Sequence, residues 1–106
     1  DGFHGAEILH WPGNVKGEIL ASYIAGQMPP CLHTGRYHPA TAKLWTAARN
    51  VLSKYPMTSI LIEVGYASSP WDAKILKDPW EVSQVVSAVR SAICYWVQAR
   101  NSGRAF

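Results

Sequence analysis

Ser59-Ile60-Leu61-Ile62-Glu63-Val64-Gly65-Tyr66 sets an apolar, largely β-branched run against a carboxylate close to its end. Runs of this kind form strands buried inside parallel sheets. Such a strand needs helices to cover it, so the run points to a layered α/β architecture. A carboxylate is costly to bury without a partner. In open α/β sheets the chemistry collects at the carboxyl ends of the strands. Glu63 therefore stands where a catalytic acid or base belongs. A carboxylate that merely caps a neighbouring backbone group is the alternative, and the residues alone leave both open.

The other elements follow from periodicity and punctuation. Residues 6–11 alternate as a strand, with Glu7, Leu9 and Trp11 on one face and Ala6, Ile8 and His10 on the other. Pro12-Gly13 ends it. Asn14 is placed to cap a helix over residues 15–27, whose apolar stripe is Val15, Ile19, Leu20, Tyr23 and Ile24. Met28-Pro29-Pro30 stops that helix. Residues 31–39 form a loop that gathers His33, Gly35, Arg36, Tyr37 and His38, and loops often carry binding residues. A helix is expected over residues 40–50, with 51–54 open between further helix and a short strand. The strand at 59–64 comes next. Ser69-Pro70-Trp71-Asp72 then has the form of a helix start, with Ser69 as cap and Asp72 as the reciprocal carboxylate, for a short helix over 70–76. Asp78-Pro79-Trp80-Glu81 repeats the device and opens a long helix over 79–100. Its expected core stripe is Val82, Val85, Val86, Val89, Ile93 and Trp96. Asn101-Ser102-Gly103 ends it.

At 106 residues the chain is one domain or part of one, and 48% hydrophobic content is enough for a core. A net charge of +3 from scattered Lys and Arg describes a solvated surface with at most weak attraction to an anionic polymer. No base-reading motif or stacking array is present, so nucleic acid is not an expected partner. Cys31 and Cys94 have no metal-ligand spacing and are expected as buried or idle thiols, with a disulfide between them left open. No apolar run approaches the roughly 18 residues of a membrane span, and no signal peptide is present. The chain does not begin with Met, so upstream sequence is expected.

One block is specific. Ile60-Leu61-Ile62-Glu63-Val64-Gly65-Tyr66 continues into Ala67-Ser68-Ser69-Pro70-Trp71-Asp72 and then Leu76-Lys77-Asp78-Pro79. It resembles the catalytic-glutamate strand, the Ser-Asn-Pro-like turn and the Leu-x-Asp-Pro step of the zinc-dependent N-acetylmuramoyl-L-alanine amidases. These are the cell-wall autolysins, sporulation hydrolases and phage endolysins. Upstream, Gly5-Ala6-Glu7-Ile8 and Gly17-Glu18-Ile19-Leu20 resemble the family's Gly-x-Glu strand and the helix after it. The likeness runs over nearly the whole chain. Thr58 and Ser69 stand where the family usually has Pro and Asn. A larger departure concerns the metal. The family's two zinc-binding histidines and glutamate belong to motifs that this chain lacks.

The resemblance implies an α/β fold with a mostly parallel sheet flanked by helices. Residues 1–106 would be the C-terminal portion of an amidase catalytic domain. It implies peptidoglycan as the partner, cleaved at the amide between N-acetylmuramic acid and L-alanine. Zinc is implied as cofactor, with its ligands upstream of residue 1 and none in this chain. Glu63 would be the general base that deprotonates the attacking water. The location would be secreted or wall-associated, or phage-encoded with release at lysis. The runner-up is a remnant or wall-binding module that keeps the scaffold without turnover. Arg36 and His38 are the candidate substrate contacts, Arg36 toward a peptide carboxylate. His4, Glu7 and His10 are spaced by three, but a strand points Glu7 away from His10, so they make a poor metal set. Trp45 and Trp96 fall on core stripes. Trp71 and Trp80 are expected to pack against neighbouring helix starts, and Cys94 to be a small core or boundary residue.

Overall fold

The computed structural model describes residues 4–40, 46–55 and 57–103. Among them, strand β1 (Glu7–His10) leads to helix α1 (Val15–Gln27), strand β2 (Arg36–Pro39) and helix α2 (Thr46–Ser53). Strand β3 (Ile60–Glu63) and helices α3 (Pro70–Leu76) and α4 (Pro79–Asn101) complete the order. The strands form one sheet in the order β2-β1-β3. β1 and β2 run parallel, joined through α1 as parallel neighbours require. The α/β class with helices around a sheet is as expected.

Two features of the sheet differ from expectation. β3 runs antiparallel to β1, in the register Glu7↔Glu63, Ile8↔Ile62, Leu9↔Leu61 and His10↔Ile60. It is also an edge strand, and each of its residues keeps partial exposure. An apolar run in an edge strand has the same composition as one buried at the centre of a parallel sheet, which is why the two are confused. Second, Arg36–Pro39 is a strand rather than loop. Arg-Tyr-His-Pro carries no apolar alternation. It is held by the backbone of β1, and Pro39 is tolerated because β2 lies at an edge.

The helix starts match local chemistry closely. The Asn14 side chain accepts from the Gly17 N–H at 2.9 Å, and α1 ends at Met28. The Asp78 side chain accepts from the Trp80 N–H at 2.9 Å. Helix α2 continues to Ser53, so residues 51–53 of the open segment are helix and Lys54 is not; Ala40 lies outside any helix, and residues 41–45 of the expected helix lie outside the described residues. Asp72 departs from its expected role. Its N–H does bond Ser69 Oγ at 3.3 Å, but its carboxyl does not return to the Ser69 N–H. Instead Asp72 Oδ2 accepts from Gly5 N at 2.7 Å and Tyr66 N at 2.9 Å. Asp72 is fully buried and ties the entry of β1 to the exit of β3.

Strand alternation divides the sheet into two faces. Ile8, Ile60 and Ile62 join Leu20, Ala21 and Ile24 of α1 and Val85, Ala92 and Trp96 of α4 in the main core. Leu9 lies on the opposite face, and the buried Ala48 and Leu52 of α2 are likewise outside that core. The buried line on α4 is Val85, Ala92, Trp96 and Ala99; Val82, Val86 and Ile93 of the expected stripe are exposed. Small residues at 92 and 99, on either side of the buried Trp96, let α4 approach α1. Cys94 is exposed on α4, contrary to expectation, and both cysteines are free thiols. Trp71 and Trp80 are also exposed rather than packed. Trp45 lies outside the described residues. No helix among the described residues is long and apolar enough to cross a membrane.

Gly5 makes the Asp72 contact possible. It holds φ +81°, and a Cβ there would collide with the Thr34 methyl and sit 3.1 Å from the Leu32 carbonyl oxygen. Gly5→Ala is therefore expected to cost about 2 kcal/mol, from left-handed backbone strain and the displaced neighbour. Urea unfolding of the two proteins measures this, and equal midpoints would contradict it.

Candidate active site

In an antiparallel pair, directly opposed residues share a face. The register therefore brings Glu63, the last residue of β3, beside Glu7, the first of β1. β2 adds Arg36 opposite Glu7 and His38 opposite Leu9 on that same face. The result is a polar cluster at one end of a face whose apolar remainder includes the buried Leu9.

Glu7 is the hub. Its Oε1 is hydrogen-bonded to His38 Nε2, and its Oε2 accepts from the Tyr66 hydroxyl at 2.7 Å. Burial pushes the Glu7 carboxyl up, but the bonds from His38 and Tyr66 and the charges of His38 and Arg36 outweigh it and hold its pKa below the usual value. His38 shows the mirror effect. Burial pushes its pKa down, but the Glu7 bond, the Pro39 carbonyl and the charges of Glu7 and Glu63 raise it. The Tyr66 hydroxyl, donating to Glu7, is pushed up to about 12.

Glu63 has the opposite environment from Glu7. Burial and the neighbouring Glu7 carboxylate raise its pKa, and the charge of His38 only partly offsets them. Two carboxyls of one type are thus driven apart, one held ionised and one inclined to keep a proton. This is the arrangement that separates acid and base roles in active sites. Replacing Glu7 by Gln removes the adjacent negative charge. The pKa of Glu63 is then expected to fall toward its ordinary value, and that of His38 to fall with it. Carbon-13 NMR titration of the labelled carboxyls and imidazole checks both signs; a Glu63 pKa that stayed put or rose would exclude the coupling.

The expected residues come together only in part. Glu63, Arg36 and His38 share the face. Arg36 donates through Nη2 to the His4 carbonyl at 2.9 Å, and its Nε has no partner among the described residues. Both His38 nitrogens are engaged, Nε2 with Glu7 and Nδ1 with the Pro39 carbonyl at 3.0 Å. His33 is exposed. The His4, Glu7, His10 trio disperses as strand geometry requires, with His10 buried and His4 exposed. The hub role of Glu7 and the hydroxyl of Tyr66 were missed. Alternation placed Glu7 on the correct face, but only the cross-strand register joins it to Glu63.

The described residues do not fit a zinc site. No three His, Cys, Asp or Glu side chains among them converge as a metal set. Glu7, the carboxylate opposite Glu63, has both oxygens taken by protein donors.

Several solved structures share this fold. The CwlD amidase from Clostridioides difficile, in complex with the GerS lipoprotein, aligns with a TM-score of 0.78 at 17% identity, over 92% of this chain and 48% of that one. The N-acetylmuramoyl-L-alanine amidase AmiC2 of Nostoc punctiforme aligns at 0.75 and 22% identity, over 91% and 49%. The N-acetylmuramyl-L-alanine amidase Ami1 from Mycobacterium smegmatis aligns at 0.76 and 15% identity, over 92% and 49%. The chain spans about half the length of these structures. No family model and no curated protein sequence matches it. The chain therefore has a mixed α/β fold that these amidases contain within about half of their length.

Proposed function

We propose that this chain is the C-terminal portion of an N-acetylmuramoyl-L-alanine amidase domain, a peptidoglycan hydrolase, with Glu63 as general base. The observation that carries this reading is the Glu7–Glu63 pair across β1 and β3, in which only Glu7 is neutralised by donors. A carboxylate with a raised pKa is a stronger base once ionised. The motif from Glu63 to Pro79 and the shared fold support the same reading.

Glu63 takes a proton from the attacking water as its oxygen bonds to the carbonyl carbon of the lactyl–alanine amide. It returns that proton to the alanine nitrogen as the C–N bond breaks. His38 and Tyr66 hold Glu7 in place and ionised beside it. Arg36 contacts the substrate, engaging a stem-peptide carboxylate with guanidinium N–H groups beyond the one given to His4. The zinc that the resemblance implies requires ligands other than the described residues, so the steps assigned to this chain are proton transfers at Glu63. Peptidoglycan as substrate puts the protein outside the cytoplasmic membrane, at the wall or released at lysis.

A wall-binding scaffold without turnover is the second reading, favoured by the missing three-ligand set among the described residues. Digestion of purified peptidoglycan by the natural polypeptide that carries this chain, with zinc supplied, separates the two. Release of new alanine amino groups supports the amidase. Sedimentation with the wall and no amine release supports the scaffold.

A further inference from the structure

We propose that the two cavities lined by Trp71 and by Trp80, which share Cys31 and Glu81, bind a neutral glycan strand built of N-acetylhexosamine units. The proposal rests on its own observations and not on the chemistry assigned to Glu63. Trp71 and Trp80 each follow a proline in the first turn of their helix, and they are 62% and 68% exposed. Burial of an indole is strongly favourable, so two uncovered ones at adjacent helix starts call for an occupant.

The space between them is built rather than flat. Cys31 Sγ donates to Glu81 Oε2 at 3.2 Å, and both residues line two cavities. One cavity, of about 230 Å³, has Trp71, Lys74 and Asp78 in its lining. The other, of about 570 Å³, has Trp80, Gln27, Gln84 and Ser87 in its lining. Together they fall within the usual range of ligand sites. Trp71 is also held in orientation, because its Nε1–H donates to the Cys31 carbonyl at 3.4 Å.

The chemistry of this lining selects a sugar. A pyranose ring offers an apolar C–H face, which an indole covers, and a rim of hydroxyl and acetamide groups. Gln27, Gln84, Ser87 and the carboxylates Glu81 and Asp78 supply donors and acceptors for that rim. Two indoles, one in each of two adjoining cavities, suit an oligomer better than a single sugar. With two carboxylates against one lysine in the lining, an anionic polymer is disfavoured.

The test is titration of the full chain with the tetramer of β-1,4-linked N-acetylglucosamine, followed through the indole N–H resonances of its five tryptophans. Saturable shifts at Trp71 and Trp80 are expected. Trp71→Ala and Trp80→Ala should each weaken binding about tenfold, the scale of one lost aromatic contact. Trp71→Tyr and Trp80→Tyr keep a stacking ring and should retain most of the affinity, which guards against loss through misfolding. Glu63→Gln should bind normally, so failure of the amidase reading leaves this result standing. No shift at millimolar tetramer, shifts confined to other tryptophans, or unchanged affinity in the alanine variants would overturn the proposal. So would self-association through these indoles that excludes the sugar, seen by sedimentation.

Discussion

Glu63→Gln, made in the natural polypeptide that carries this chain, is expected to reduce muropeptide cleavage between 10²- and 10⁴-fold, the usual contribution of a general base. Gln has nearly the same shape as Glu and cannot take the proton from water. The loss should fall on kcat, because substrate contacts are assigned to Arg36 and not to Glu63. Wild-type activity should rise with pH as Glu63 ionises, and that rise should sit above the ordinary carboxyl range because its pKa is raised. In Glu7→Gln the same limb should move to lower pH, since the like charge is gone. Release of alanine amino groups across a pH series measures all three. Full activity in Glu63→Gln would remove Glu63 from the mechanism.

Asp72→Ala is expected to give the largest stability loss of any single change considered, about 3 kcal/mol or more. Its Oδ2 is the acceptor for two backbone donors, Gly5 N and Tyr66 N, and the residue is fully buried. Each donor left without a partner costs roughly 1–3 kcal/mol. Asp72→Asn keeps an oxygen for the same two N–H groups and should lose less than half as much. Urea unfolding of the three proteins orders them; an alanine variant within about 0.5 kcal/mol of the parent, the scale of an ordinary surface change, would mean that the clasp contributes little.

The parts of this fold that were legible are those decided by neighbours in sequence. Helix α1 runs over residues 15–27 and α3 over 70–76 as expected, because Asn14, Ser69 and the prolines act within one turn. β2 was not legible, because Arg-Tyr-His-Pro becomes a strand only through the backbone of β1. Glu63 stands out as a candidate from its position in an apolar run, and the structure puts it at the end of β3. Its partner does not stand out, because the Glu7↔Glu63 register is decided by tertiary pairing between residues far apart in the chain. The capping carboxylate at position 72 shows a different failure. A local motif predicted its backbone partner correctly, whereas its side chain was recruited by Gly5, 67 residues away.

The edge position of β3 bears on how the protein behaves in concentrated solution. Among the described residues no strand pairs with its outer side. Ser59-Ile60-Leu61-Ile62 is uncharged, contains no proline and is rich in β-formers, the composition that recruits another chain through its backbone. Glu63 is the first charge after this run. Its position is that of a gatekeeper against edge-to-edge aggregation, separate from the proton transfer proposed for it. Acidification through its raised pKa removes that charge, as does the Gln variant. Loss of turnover in Glu63→Gln is thus best measured on protein first shown to be monomeric, at a pH where the wild-type carboxylate is ionised.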